Sequence, residues 1–113
     1  MSDTITADII KSFKLIVGYD YFFADEESLQ RYSRDETETL SFKPQVVLKP
    51  ATAQEISAVL KICNEHRIPV TPRGAGTGLT GGALPHLGGV VIATERLNRV
   101  LDIDERNLQV TTE

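Results

Sequence analysis

The chain has 113 residues, 41% of them hydrophobic and 25% charged, and a formal net charge of −4. That length allows one domain at most, and the composition is that of an ordinary globular protein. The mild acidity, with no lysine after Lys61 and no stripe of arginines, argues against a nucleic-acid-binding surface, and a lone Cys63 excludes an internal disulfide and offers no metal-ligand spacing.

Residues 1–41 read as a helical leader. After a polar, acidic start, Ile5, Ile9, Phe13 and Ile16 recur at helical spacing, Ile10 and Val17 widen the stripe, and Gly18 is a natural stop. The aromatic run Tyr19, Tyr21, Phe22 and Phe23 is expected to pack on or cap that helix. Asp25 suits the N-cap of a second, short helix to about Ser33, and a polar loop follows over 34–41. No charge-free run nears the roughly 18 residues that span a bilayer, and no signal peptide precedes the helix, so the expected location is cytoplasmic.

From Phe42 the period changes. Residues 45–48 form a short β-like run closed by Pro50. Thr52 and Glu55 fit a capping box, each side chain meeting a free backbone N–H at a helix start. Ile56, Val59, Leu60 and Cys63 then make one helical face, with His66 capping the far end and Cys63 a small core residue. Residues 68–71 are the next strand, completing a strand–helix–strand unit of the length a right-handed parallel crossover needs. A further strand is expected over 89–94, a connector over 95–99, and a β-hairpin from runs at 100–104 and 108–111. Asp102, Asp104 and Glu105 read as solvated turn acids there.

Between the strands at 68–71 and 89–94 stand Gly74, Gly76, Gly78, Gly81, Gly82, Gly88 and Gly89, all but one of the chain's glycines. Glycine costs backbone entropy, so such density needs a reason. Alternating glycines let successive N–H groups line a concavity suited to an anion such as a phosphate. No lysine follows to make a Walker A loop. Gly76, Gly78 and Gly81 match G-x-G-x-x-G, but that dinucleotide fingerprint must open a helix, and Gly82, Pro85, Gly88 and Gly89 forbid one. Glu95 stands near the spacing of a ribose-binding acid, which means little without that helix. There remains a long non-helical glycine loop between strands.

The string Val70-Thr71-Pro72-Arg73-Gly74-Ala75-Gly76-Thr77-Gly78-Leu79-Thr80-Gly81-Gly82 resembles the pyrophosphate loop of the vanillyl-alcohol-oxidase-type (PCMH-type) FAD-binding domain. Within that family it is most similar to the glycolate oxidase and D-lactate dehydrogenase branch. Pro44-Gln45-Val46-Val47-Leu48-Lys49-Pro50 and Thr52-Ala53-Gln54-Glu55-Ile56 resemble the family's opening strand and capped helix. Leu97-Asn98-Arg99-Val100-Leu101-Asp102-Ile103-Asp104 resembles the family's segment after the loop, and Arg31-Tyr32-Ser33-Arg34-Asp35 is similar, less specifically, to the leader.

The resemblance implies an α+β fold: N-terminal helices over 1–41, then over 42–113 a βαβ-based, incomplete first lobe of an FAD-binding domain with a C-terminal β-hairpin. It implies that Arg73, Gly74, Ala75, Gly76, Thr77, Gly78, Leu79, Gly81 and Gly82 bind the FAD pyrophosphate and adjoining parts of the cofactor. Thr77 and Thr80 would add hydroxyl donors, and Arg73 would supply charge or tie the loop to neighbouring carbonyls. Some family members hold FAD covalently through a histidine in this loop. None stands between Arg73 and Leu84, and His86, read as an exposed turn residue, does not match that position, so FAD is expected to be non-covalent.

The implied activity is oxidation of a small 2-hydroxy acid, glycolate or D-lactate, with the parent enzyme cytoplasmic or peripheral to a membrane. The chain ends within a β-rich run, and the lobe and substrate domain that complete the family's site lie beyond these residues. No catalytic residue or metal ligand is therefore assigned, and FAD binding by this segment alone is expected to be weak or absent. The alternative is a non-catalytic anion- or partner-binding domain that self-associates as a homodimer.

Overall fold

A computed structural model describes residues 5–33, 44–74 and 88–113. The first helix, α1 (Ala7–Val17), starts where the Thr6 side chain accepts the Ile9 N–H, and ends at Gly18, whose φ of 94° is open to glycine. Ile9, Phe13 and Val17 form its buried stripe. After a 3-10 turn at Tyr19–Tyr21, the aromatics Phe22–Phe23 form a strand, β1, from which Phe22 packs against the α1 stripe as expected. Two residues show no periodicity, so only pairing reveals this strand. The next helix, α2 (Glu26–Arg31), is capped by Asp25 as expected, but is shorter than the sequence suggests: Tyr32 and Ser33 form the turn that leaves it.

The strand β2 (Val46–Leu48) leads into α3 (Ala53–Glu65). Thr52 accepts the Glu55 N–H, while the Glu55 carboxylate reaches past Thr52 to the Ala51 N–H. Val59 and Cys63 are buried on α3 and Ile56 packs beside them as expected, but Leu60, expected on the same face, is exposed, and Ile62 packs instead. No glycine marks the end of α3. Arg67 takes the left-handed conformation at φ 53°, and the Ile68 N–H returns to the Cys63 carbonyl at 2.8 Å. Burial pushes the Cys63 thiol up to about 11, which leaves it inert at neutral pH.

Two further strands, β3 (Val70–Arg73) and β4 (Val90–Ala93), complete a four-stranded sheet of order β1-β2-β4-β3. The strands β2, β4 and β3 are parallel and β1 is antiparallel to β2. Pro72 lies inside β3, which fits an edge strand because proline offers no N–H to a second neighbour. β3 also starts and ends two residues later than the sequence suggests, so Arg73 belongs to the strand itself.

Alternation sorts the central strands between two cores. Val46, Leu48, Val90 and Ile92 pack with α1, α3 and Ile68 on one face. Val47, Val91 and Ala93 pack with Leu29, Tyr32 and Phe23 on the other. β4 is therefore covered on both faces and reads as an unbroken apolar run, as buried parallel strands do.

The expected hairpin forms from β5 (Val100–Asp104) and β6 (Gln109–Thr112), with a register shift between Val100 and Asp102. Asp104 accepts the Asn107 N–H at its turn, and Arg99 pairs with Glu113 at its open end. Nearly every residue of the pair is exposed, Ile103 by 63%. Among the described residues no helix is long and apolar enough to cross a membrane.

Gly89 carries the entry to β4. Its φ is 71°, and a Cβ there would press into the Pro69 carbonyl, the same group that accepts the Val90 N–H at 2.9 Å. The Gly89 carbonyl in turn accepts the Gln45 and Val46 N–H groups. Gly89→Ala is expected to destabilise the fold by about 2–3 kcal/mol, from strain at positive φ plus a displaced strand contact. Urea unfolding measures this, and a midpoint unchanged from wild type contradicts it.

Candidate functional site

Because β2, β4 and β3 run parallel, their carboxyl ends meet at one edge of the sheet. Open α/β sheets bind ligands outside that edge. Lys49 follows β2, Thr94, Glu95 and Arg96 follow β4, and Arg73 ends β3 with Gly74 after it. The chain leaves β3 at this edge and enters β4 at the opposite one, through Gly88 and Gly89.

A polar cluster spans the edge. The Tyr32 hydroxyl donates to Glu95 Oε1, and Lys49 Nζ lies 3.1 Å from Glu95 Oε2. The Lys49 ammonium also faces the rings of Phe23 at 5.0 Å and Tyr32 at 5.5 Å. The Arg73 guanidinium lies 5.2 Å from the centre of the Tyr32 ring. Thr94 fixes the backbone beneath it, since its N–H and hydroxyl both donate to the Arg73 carbonyl, at 2.9 and 3.3 Å. On the far side Arg96 donates to the Lys49 carbonyl at 2.9 Å and stacks 3.5 Å from the centre of the Tyr21 ring.

The titration of these groups follows from their contacts. Burial works to raise the Glu95 carboxyl, but hydrogen bonds from Tyr32 and Lys49 and the ammonium charge outweigh it and hold it below the ordinary glutamate value. Burial works to lower the Lys49 ammonium, and hydrogen bonding to Tyr32 and Glu95 reverses that and holds it above the lysine value. Burial, joined by the bond to Glu95, raises the Tyr32 phenol. At neutral pH the cluster is a neutral phenol, a carboxylate and an ammonium, none poised to exchange a proton. It can orient and attract; it is not built for acid–base work.

Of the residues assigned to an anion site from sequence, Arg73 and Gly74 stand together at the carboxyl edge. Ala75, Gly76, Thr77, Gly78, Leu79, Gly81 and Gly82 lie outside the described residues, as do Thr80 and His86. Gly74 is exposed, and a Cβ there would meet nothing within 4 Å among the described residues. Among the described residues nothing demands glycine at 74, which fits a backbone kept bare for a bound group. Arg73 supplies a cation at the same edge, so the residues present suit the pyrophosphate of FAD. Among the described residues no group of three histidine, cysteine or acidic side chains could hold a metal ion.

Sequence reasoning does not assign Tyr32, Lys49, Thr94 or Glu95 to the site. The signals are thin: Tyr32 sits in the weakly matching leader segment, and Glu95 stands out only as a ribose acid in a motif that fails. The tie between them joins residues 63 positions apart, which no spacing rule encodes.

Residues 44–113 match the family described as an FAD binding domain. The glycolate oxidase subunit GlcD of Bacillus subtilis is 38% identical over 109 residues, covering 96% of this chain and 23% of that protein. A D-lactate dehydrogenase of Anaerostipes hadrus is 37% identical over 107 residues, covering 94% of this chain and 22% of that protein. The solved structure of 4-ethylphenol oxidase from Gulosibacter chungangensis superposes with a TM-score of 0.77 at 28% identity, over 94% of this chain and 22% of that one. The chain thus spans less than a quarter of the length of these proteins.

The Glu95 pairing has a pH signature. A carboxyl held below its unfolded value, near 4.5, adds stability that is present above that value and lost as pH falls through the folded one. Wild type is therefore expected to melt above Glu95→Gln at neutral pH, with the gap closing on acidification below the ordinary glutamate range. Melting curves taken across that range test it, and a gap that is constant or widens with acid rules the pairing out.

Proposed function

This chain belongs to the FAD binding domain family, and from that premise we propose that it seats the FAD pyrophosphate at the carboxyl edge of its parallel sheet. Arg73 supplies the charge, and Gly74, Ala75, Gly76, Thr77, Gly78, Leu79, Gly81 and Gly82 are the residues whose backbone N–H groups would meet the phosphates. The observation that carries this reading is the position of Arg73 and Gly74, where β3 ends beside β4 and, among the described residues, nothing crowds Gly74. Charge-assisted bonds to an oxyanion are about twice as strong as neutral ones, which is why an arginine at the root of a glycine segment matters.

The activity proposed for the intact protein is oxidation of a small 2-hydroxy acid of the glycolate or D-lactate type. The names of the similar glycolate oxidase and D-lactate dehydrogenase proteins support it. Bound FAD would supply the hydride acceptor. The residues of this chain bind and orient the cofactor, and the residues that act on substrate belong to other parts of the protein. No histidine stands from Arg73 to Leu84, so this segment offers no imidazole for a covalent bond, and the reading is of a non-covalently held flavin.

The intact protein is expected to be yellow and to bleach when glycolate or D-lactate is added without oxygen. Its flavin is expected to leave with the supernatant after acid precipitation; colour retained in the pellet overturns the non-covalent reading. A colourless protein that takes up no added FAD overturns the cofactor reading. Arg73→Gln is expected to weaken FAD binding about tenfold, from the loss of one charge-assisted contact. A titration with unchanged affinity removes Arg73 from the site.

One observation favours a second reading, self-association. Leu101, Ile103 and Val110 are 55–63% exposed on the hairpin, an apolar surface unlike the covered central sheet. Light scattering behind size exclusion, at several concentrations of this chain, is expected to show dimers on that reading, and a monomer throughout rules it out.

A further inference from the structure

Tyr32 is 3% exposed although it lies beyond the end of α2. Its ring packs with Leu29, Val47, Val91 and Ala93, the core under the carboxyl edge. A core filler needs no hydroxyl, yet this one is bonded to Glu95, which Lys49 holds from its other oxygen. The ring is thus fixed in both position and tilt. Three cations face it: Arg31 at 6.0 Å, Lys49 at 5.5 Å and Arg73 at 5.2 Å. Lys49 is neutralised by Glu95, and Arg31 is the adjacent residue in the chain. Only Arg73 among them stands at the root of the glycine segment.

We propose that Tyr32 is a positioning residue, a clamped aromatic platform that holds the Arg73 guanidinium at the carboxyl edge and so sets the affinity of that edge for a phosphate-bearing ligand. The inference rests on the reading of Arg73 as a contact to the FAD pyrophosphate. An arginine side chain loses much rotamer freedom on meeting a ligand, and a platform that restricts it beforehand removes part of that cost. A guanidinium held over an aromatic face by cation–π attraction uses none of its N–H donors on the ring, so the platform does not compete with an anion for them. Thr94 completes the arrangement from below by holding the Arg73 carbonyl.

The test is a double-mutant cycle on the intact protein with FAD as the probe, read by quenching of flavin fluorescence. Tyr32→Met keeps buried volume without a π face, Tyr32→Phe keeps the face, and Arg73→Gln removes the charge. Tyr32→Met and Arg73→Gln are each expected to weaken FAD about tenfold, and the double variant about tenfold rather than a hundredfold, because the two act as one unit. Tyr32→Phe, which keeps the face but loses the bond to Glu95, is expected to weaken FAD by about threefold, between wild type and Tyr32→Met.

Additive losses in the double variant, or native affinity in Tyr32→Met, overturn the inference. A wild type that binds no FAD overturns the flavin reading itself, a distinct outcome. If Tyr32→Met does not fold, NMR of the ligand-free wild type decides the matter. The Arg73 side-chain protons are expected to show upfield ring-current shifts, and random-coil positions for them overturn the platform.

Discussion

The structure depends on burying β4 between two parallel neighbours. Its four residues, Val90, Val91, Ile92 and Ala93, are all buried, and they alternate between the α1–α3 core and the core under α2. Parallel strands of one sheet cannot be joined by tight turns, so each connection must travel the length of the sheet. α3 makes one such journey, and the glycine-rich segment is the connection for the other. The same constraint gathers the strand ends, so Lys49, Arg73 and Glu95 meet at one edge although they are scattered along the chain. The edge gathers charged side chains because the strands under it are aligned.

The polar cluster at that edge is a balance of burial against pairing. Glu95 and Lys49 are both partly withdrawn from water, and each is kept charged by the other and by Tyr32. Partly exposed ion pairs contribute little to stability. The more consequential effect is orientation, since the pair fixes a phenol, and the phenol faces an arginine. A group belonging to the hydrophobic core on one side thereby sets the placement of a cation on the other.

The glycine cluster divides once its ends are seen in place. Gly89 is demanded from within: its positive φ and the nearby Pro69 carbonyl leave no room for a side chain. At Gly74 a Cβ would meet nothing within 4 Å among the described residues. Density of glycine in a sequence therefore mixes two causes, backbone geometry and access for a ligand. Gly89 shows the first, and the cofactor contact proposed at Gly74 would supply the second.

Much of the fold is legible from local rules. The stripe of Ile9 and Phe13, the Asp25 and Thr52 caps, the apolar runs at 46–48 and 90–93 and the hairpin all follow from periodicity and capping chemistry. These features depend on neighbours within a few residues, and a one-dimensional reading contains those neighbours. The motif around Arg73 and Gly74, and the family it resembles, are legible for the same reason. Tertiary structure alone decided that Phe22–Phe23 is a strand, that Arg67 rather than a glycine ends α3, and that β4 inserts between β2 and β3. It alone joined Tyr32 to Glu95 and set Arg73 over the ring. Most of those outcomes are fixed by partners dozens of residues away, whose contact energies exceed weak local preferences and leave no mark on the spacing of the residues they bring together.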